Sequence, residues 1–235
     1  MAGHTISHAS GLWMGNARHQ LQSRRGVGPL ANFIFHDYGF LSVADADGIT
    51  SAQLPSATVA GTALTVTSGA ASELSVGRGL RFNASGAGAS GTLSYSITGT
   101  DIYGHIMFET VTGGGASGGS VSNGKKAFST VTSFVTGTNG TATTVTIEFG
   151  WSDVLGLPFV STDRNFLLPM GATGEDAAAT FVAAATGANG ATDGDIRGTI
   201  DMSNALATTF RPTVFMHVND PTTVTGAYGQ AQATG

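Results

Sequence analysis

From Gly91 to Gly99 the chain reads Gly-Thr-Leu-Ser-Tyr-Ser-Ile-Thr-Gly, with Leu93, Tyr95 and Ile97 alternating with Thr92, Ser94, Ser96 and Thr98. Strict alternation sends every second side chain to the same side of an extended backbone. A helix cannot do this, so the run reads as a strand with one dry and one wet face. The pattern returns before Trp151, where Val145, Ile147 and Phe149 oppose Thr144, Thr146 and Glu148. Between the two runs lies Thr100-Asp101-Ile102-Tyr103-Gly104, a loop short enough to close a hairpin onto a β-prone run from His105 to Thr112. Gly113 to Gly124 has the composition of a flexible tether, and Phe128 to Thr136 is a further strand candidate. Two short strands followed by two more describe a small antiparallel sandwich.

Outside this stretch, strands are expected over Val59–Thr67 and Leu74–Phe82, the second interrupted at Gly77 and Gly79. Ala177–Ala185 has alanines enough for a helix, but Thr180, Phe181 and Val182 interrupt it and glycines flank it, so it reads as a strand. Asp195–Asp201 and Thr213–Val218 read as a closing strand pair. The fold class is therefore all-β: an antiparallel β-sandwich or barrel-like body, in one or two sub-domains, with an extended N-terminal arm. The division is an arm over 1–58, a sandwich body over 59–151, and a C-terminal β region over 152–235 that packs on or extends the body.

Charged residues make up only 11% of the chain, so Ser, Thr, Gly and Ala must fill the exposed positions that Lys and Glu usually take. The resulting neutral, hydroxyl-rich surface is common in β-rich extracellular and virion proteins. Cysteine is absent, which excludes disulfides and thiolate metal sites. No apolar run approaches membrane-spanning length, and no membrane partner is expected. Met1-Ala-Gly-His-Thr-Ile lacks the basic start and apolar core of a signal peptide, so synthesis and folding in a cytosol are expected. Asn83-Ala-Ser85 and Asn139-Gly-Thr141 match the glycosylation pattern and are read as turn residues.

Charge is distributed unevenly. Up to His36 the only formal charges are Arg18, Arg24 and Arg25; from Asp37 onward seven bases face all fifteen acids, a net of -8. A basic head on an acidic body points to an anionic partner for the head. Three arginines without a dense basic patch do not describe a nucleic-acid binder. Leu12-Trp13-Met14 and Phe33-Ile34-Phe35 are apolar clusters without a local core, separated by polar, Gly-rich sequence. Two readings stay open, an arm laid on a partner and a segment packed back on its own sandwich; the first is preferred.

Several motifs match by letter and fail by context. Gly86-Ala-Gly88-Ala-Ser-Gly91 satisfies G-x-G-x-x-G, but a strand follows where a pyrophosphate site needs a helix N-terminus. Gly115-Ala-Ser117-Gly-Gly119 spells a nucleophile elbow inside the tether, where the required strand-to-helix turn is missing. His4 and His8 have no helix to bring them together and no acid beside them. Asp45-Ala-Asp47-Gly48 opens like a calcium loop and lacks its closing acids, so it reads as a turn. Glu109 and Glu148 lie on the polar faces of their strands and read as solvated acids. No catalytic set emerges; the expectation is a protein that is not an enzyme and carries no cofactor or metal.

Ile97-Thr-Gly-Thr-Asp101-Ile-Tyr-Gly104, Phe108-Glu-Thr-Val-Thr-Gly113 and Lys126-Ala-Phe-Ser-Thr-Val-Thr-Ser133 together resemble a module of tailed-bacteriophage virion structural proteins. Gly150-Trp-Ser-Asp-Val-Leu-Gly-Leu-Pro158 and Gly194-Asp-Ile-Arg-Gly-Thr199 are similar to segments that accompany it. Covering roughly Ala60 to Val218, the likeness is closest to capsid decoration, or cement, proteins. It implies a β-rich homo-oligomer, with a trimer favoured, made in the host cytoplasm and seated on the outer capsid surface. Its partner would be the major capsid protein, reinforced at the joints between capsomers. On that reading Trp13, Arg18, Arg24, Arg25, Phe33, Phe35 and Tyr38 form the capsid-binding set, aromatics as anchors and arginines for shell carboxylates. The alternative is a tail or fibre adhesion module binding host glycan or protein through body loops, with Tyr103 as the clearest loop aromatic.

Overall fold

The computed structural model of the chain describes residues 8–9, 12–16, 32–53, 63, 71–85, 94–112, 120–136, 146–185 and 190–218. In chain order these form β1 (His8–Ala9), β2 (Leu12–Asn16), β3 (Asn32–Asp37), β4 (Asp45–Gln53), a short α1 (Ala71–Leu74), β5 (Arg78–Ser85) and β6 (Ser94–Thr100). They continue with β7 (Ile106–Thr112), β8 (Ser120–Phe128), β9 (Thr130–Thr136), β10 (Thr146–Gly156), a 3-10 turn at Arg164–Phe166, β11 (Leu167–Gly171), β12 (Gly174–Glu175), β13 (Thr180–Val182), β14 (Thr199–Asp201) and β15 (Thr213–Val218). The fold is all-β, with antiparallel sheets stacked as a sandwich.

Three sheets result. One runs β7-β6-β9, a second β13-β14-β10-β5-β8 with β4 also paired to β10, and a third β1-β2-β3-β15-β11-β12. Alternation decides which faces meet. Tyr95 and Ile97 of β6 and Met107 and Val111 of β7 point inward, against Leu80 and Phe82 of β5, Phe128 of β8, and Ile147, Phe149 and Trp151 of β10. Phe82, Tyr95, Phe134 and Phe149 stack at the centre, with the Phe134 and Phe149 rings 4.0 Å apart. Each such ring pair contributes about 0.5–1.5 kcal/mol beyond burial of its area.

A second core lies between the third sheet and the far end of the second. Ile34, Val214, Met216 and Leu167 meet Leu155, Leu157, Phe159 and Ile200 there. The two cores share β10, whose first half feeds one and whose last turn of strand feeds the other. Between Trp151 and Leu155 its register against β5 shifts, bending the strand from one core to the next. Its other edge holds β4 as far as Trp151 and then β14 from Val154. A Cβ on Gly150 would overlap the Asp45 carbonyl oxygen, so only glycine lets β4 approach so closely.

Buried charge fastens the loops to this frame. Arg78 is fully buried; its Nε and Nη2 donate to the Ser152 carbonyl at 3.0 and 2.7 Å, and Nη1 pairs with Glu73 at 2.9 Å. The β6–β7 hairpin closes through Asp101, whose Oδ1 accepts the N–H groups of Tyr103 and His105 at 2.8 and 2.9 Å. Asp101 also pairs with the buried Arg197, tying that turn to the segment before β14.

Several expectations need correction. Residues 32–53, assigned to an arm ending at 58, are hydrogen-bonded into two sheets through β3 and β4, because β15 and β10 supply the partners their backbone needs. Ser120 to Gly124, read as tether, begins β8, where β5 satisfies its backbone. Leu74 ends α1, and β5 starts only after Gly77, which sits at φ 78°. Asp45–Gly48 keeps a local turn, Asp45 Oδ1 accepting the Asp47 N–H, but does so at the start of β4, and Asn83 lies within β5. The supposed closing pair is divided, β14 joining the second sheet and β15 the third. Ala177–Ala185 does hold a strand, shortened to β13.

Candidate interaction face

The third sheet turns one face to the second core and leaves the other outward. On β3, Ile34 is fully buried while Phe35 is half-buried; on β15, Val214 and Met216 are buried and Phe215 is 38% exposed. On β11, Leu167 and Pro169 point inward and Leu168 is 39% exposed. The outward positions of a one-sided antiparallel sheet are ordinarily polar, and here Phe35, Phe215 and Leu168 are not.

Register aligns these residues. Trp13 is the backbone partner of Phe35, Phe35 of Phe215, and Phe215 of Leu168, so one row crosses β2, β3, β15 and β11. The Phe35 and Phe215 rings lie 4.7 Å apart, tilted by 49°. Directly opposed aromatic pairs of this kind stabilise a sheet by roughly 0.2–1 kcal/mol. At the end of β3, Asp37 pairs with Arg211 at 2.5 Å, and the Arg211 guanidinium lies 5.4 Å over the ring of Phe40, itself 60% exposed. The surface is thus apolar at Phe35, Phe215 and Leu168, with the Asp37–Arg211 pair and the Phe40 ring beside the end of β3.

The sequence-derived binding set divides on this map. Phe35 lies in the row, and the backbone register brings Trp13 to it. Phe33 stands on β3 between Gly15 and His217. Tyr38 does not belong to an exposed set: it is 3% exposed, and its hydroxyl donates to the Gly156 carbonyl at 3.0 Å. Burial raises its pKa further, so it stays protonated. Arg18, Arg24 and Arg25 fall outside the described residues. Phe215 and Leu168 were missed. Each sits in a nearly continuous apolar run, Thr213–Val218 and Phe166–Pro169, where no alternation marks an outward side chain.

Two further expectations change. Glu109, read as a solvated acid, is 2% exposed and points inward between Met107 and Val111. Burial pushes its carboxyl up to about 7, against the lowering effects of the Lys125 N–H and the Lys126 charge. Glu148 is half-buried and accepts from Asn83 Nδ2 at 2.6 Å. Tyr103 is no loose loop aromatic: its hydroxyl donates to the Pro158 carbonyl at 2.6 Å, and Arg197 stacks 4.7 Å over its ring. Among the described residues no group of three His, Asp or Glu side chains could hold a metal ion. No family model, curated protein or solved structure matches the chain.

Proposed function

We propose that this chain is a capsid decoration protein of a tailed phage, fixed to the outer head shell through the outward face of the sheet that carries β3 and β15. The observation that carries the reading is the apolar row from Trp13 through Phe35 and Phe215 to Leu168. The Phe35, Phe215 and Leu168 side chains, aligned on one sheet, are the kind of anchor that dominates interface energies. A cement protein adds binding free energy to assembly, and several weak contacts made at once by an oligomer multiply. Arg18, Arg24 and Arg25 supply the polar half of the attachment, pairing with shell carboxylates, and a homotrimer would present three such faces together. The adhesion alternative loses its main support with Tyr103 held in place.

Co-sedimentation with empty shells of the major capsid protein tests this. Phe215→Ser combined with Leu168→Ser should weaken shell binding by tenfold or more, on the order expected for removing interface anchors, while the melting temperature changes little. Shell binding undiminished in that variant, and also in one with Arg18, Arg24 and Arg25 changed to Ala, would overturn the proposal.

A further inference from the structure

Lys126, Asp195 and Glu109 are all buried, 0%, 3% and 2% exposed, and both acids act electrostatically on Lys126. Lys126 shares its side of β8 with Phe128, which belongs to the first core. Glu109 faces it from the opposing sheet, between the inward side chains of Met107 and Val111. The carboxylate lies over Gly124, where a Cβ would stand 2.7 Å from Oε2. Glu109 Oε1 accepts the N–H of Lys125, and Oε2 is buried without a hydrogen-bond partner. Asp195 takes the N–H two residues further on: Oδ2 accepts from Ala127 at 3.1 Å, and Oδ1 accepts from Arg197 at 2.9 Å. The two carboxylates therefore grip the edge of β8 on either side of residue 126.

The segment bearing Asp195 is held to the same place by two other bonds. The Thr110 N–H donates to the Ala191 carbonyl at 2.7 Å, and Lys125 Nζ donates to the Thr192 carbonyl at 2.9 Å. Asp193 is the remaining acid acting on Lys126, alongside Glu109 and Asp195.

We infer that Lys126 and Asp195 condense into an intramolecular isopeptide bond, with Glu109 carrying the protons. A proton passed from the Lys126 ammonium to the Asp195 carboxylate leaves a neutral Nζ, which attacks Cγ and makes the N–Cγ bond. Glu109, in its acid form, gives its proton to the departing hydroxyl and takes the one released from nitrogen; the C–O bond breaks and one water leaves. Amine plus acid gives amide plus water, so no oxidant, reductant or cofactor enters, and Glu109 ends as it began. The N–H groups of Ala127 and Arg197 stand on the carboxyl oxygens, where the oxyanion of the tetrahedral intermediate develops. Burial lowers the pKa of Lys126 and raises that of Glu109, favouring the neutral amine and the acid form of the shuttle. Fixed placement substitutes for high concentration of the reactants. Condensation also replaces a buried ammonium and carboxylate, both costly to desolvate, with a neutral amide.

The mass of the intact, purified chain tests this. The wild type should weigh one water less than its sequence, and digestion should release a branched peptide joining residues 126 and 195. Asp195→Asn should lose ammonia in place of water and reach the same final mass as the wild type. Lys126→Met and Glu109→Gln should each keep their full sequence mass, with strand content unchanged by circular dichroism. A folded wild type at full sequence mass would overturn the inference and leave a buried ion pair. So would a branch that joins Lys126 to Glu109, or a Glu109→Gln variant that cross-links as fast as the wild type.

Discussion

The hydroxyl of Tyr38 donates to the carbonyl of Gly156 across 118 residues of sequence, joining the turn after β3 to the end of β10. Gly156 is itself tied by its N–H to the carbonyl of Gly77 at 2.8 Å, so three distant segments meet at one residue. Tyr38→Phe keeps the ring and leaves a buried carbonyl short of a donor. It should lower stability by about 1–2 kcal/mol in urea unfolding, without altering shell binding. An unchanged midpoint would mean that water replaces the hydroxyl.

Gly150 and Gly104 separate two reasons for glycine. Gly150 lies where β4 crosses β10, and any Cβ there meets the Asp45 backbone. Gly104 has open space around it and is constrained only by a φ of 81°. Gly104→Ala should cost about 1–2 kcal/mol for the left-handed conformation. Gly150→Ala, which must push strands apart, should cost about 3 kcal/mol or more. Thermal melts of the two variants would reverse this order if β4 were loosely held.

Arg78 binds a carbonyl and carboxylates at once, from a fully buried position. Arg78→Ala leaves Glu73 and the Ser152 carbonyl without that partner and should destabilise by about 3–5 kcal/mol. Arg78→Lys retains the charge but not the fork, and should fall between Ala and wild type. Equal midpoints for Lys and Arg would show that charge alone matters there.

His36 lies inward on β3 against Tyr38, ring centroids 4.4 Å apart, and both its ring nitrogens are buried without a hydrogen-bond partner. Burial lowers its pKa from 6.5 to about 4, with Asp37 pulling weakly the other way. Its folded-state pKa is depressed, so the unfolded chain binds the proton first. The contribution is complete above pH 6.5 and is lost as pH falls toward 4, on the order of 3 kcal/mol in all. His36→Phe should flatten the pH dependence of unfolding across that window. A slope unaffected by the substitution would assign the acid sensitivity to other groups.

Local pattern was sufficient for the strands with one wet face. Tyr95 and Ile97, and Ile147 and Phe149, alternate with polar residues, and both runs are strands at nearly the expected positions. Strands buried or apolar on both sides, such as β15, carry no such mark, which is why Phe215 went unseen. The Glu109 error has a related cause. Its charge suggested a wet face, but β7 turns Met107, Glu109 and Val111 inward together, as strand alternation requires. A carboxylate in that company shows its role only once Lys126 is seen opposite.

The residue order alone determined that the chain would be built from antiparallel strands with small polar surfaces, because period-two alternation and turn chemistry act over a few residues. Only the tertiary structure decided that residues 32–53 belong to the body, that β10 serves two cores, and that Lys126, Asp195 and Glu109 share one site. Those relationships join residues 17 to 186 positions apart in the chain, brought together by backbone groups that must find partners and apolar faces that must find each other. Nothing local in the sequence carries that information.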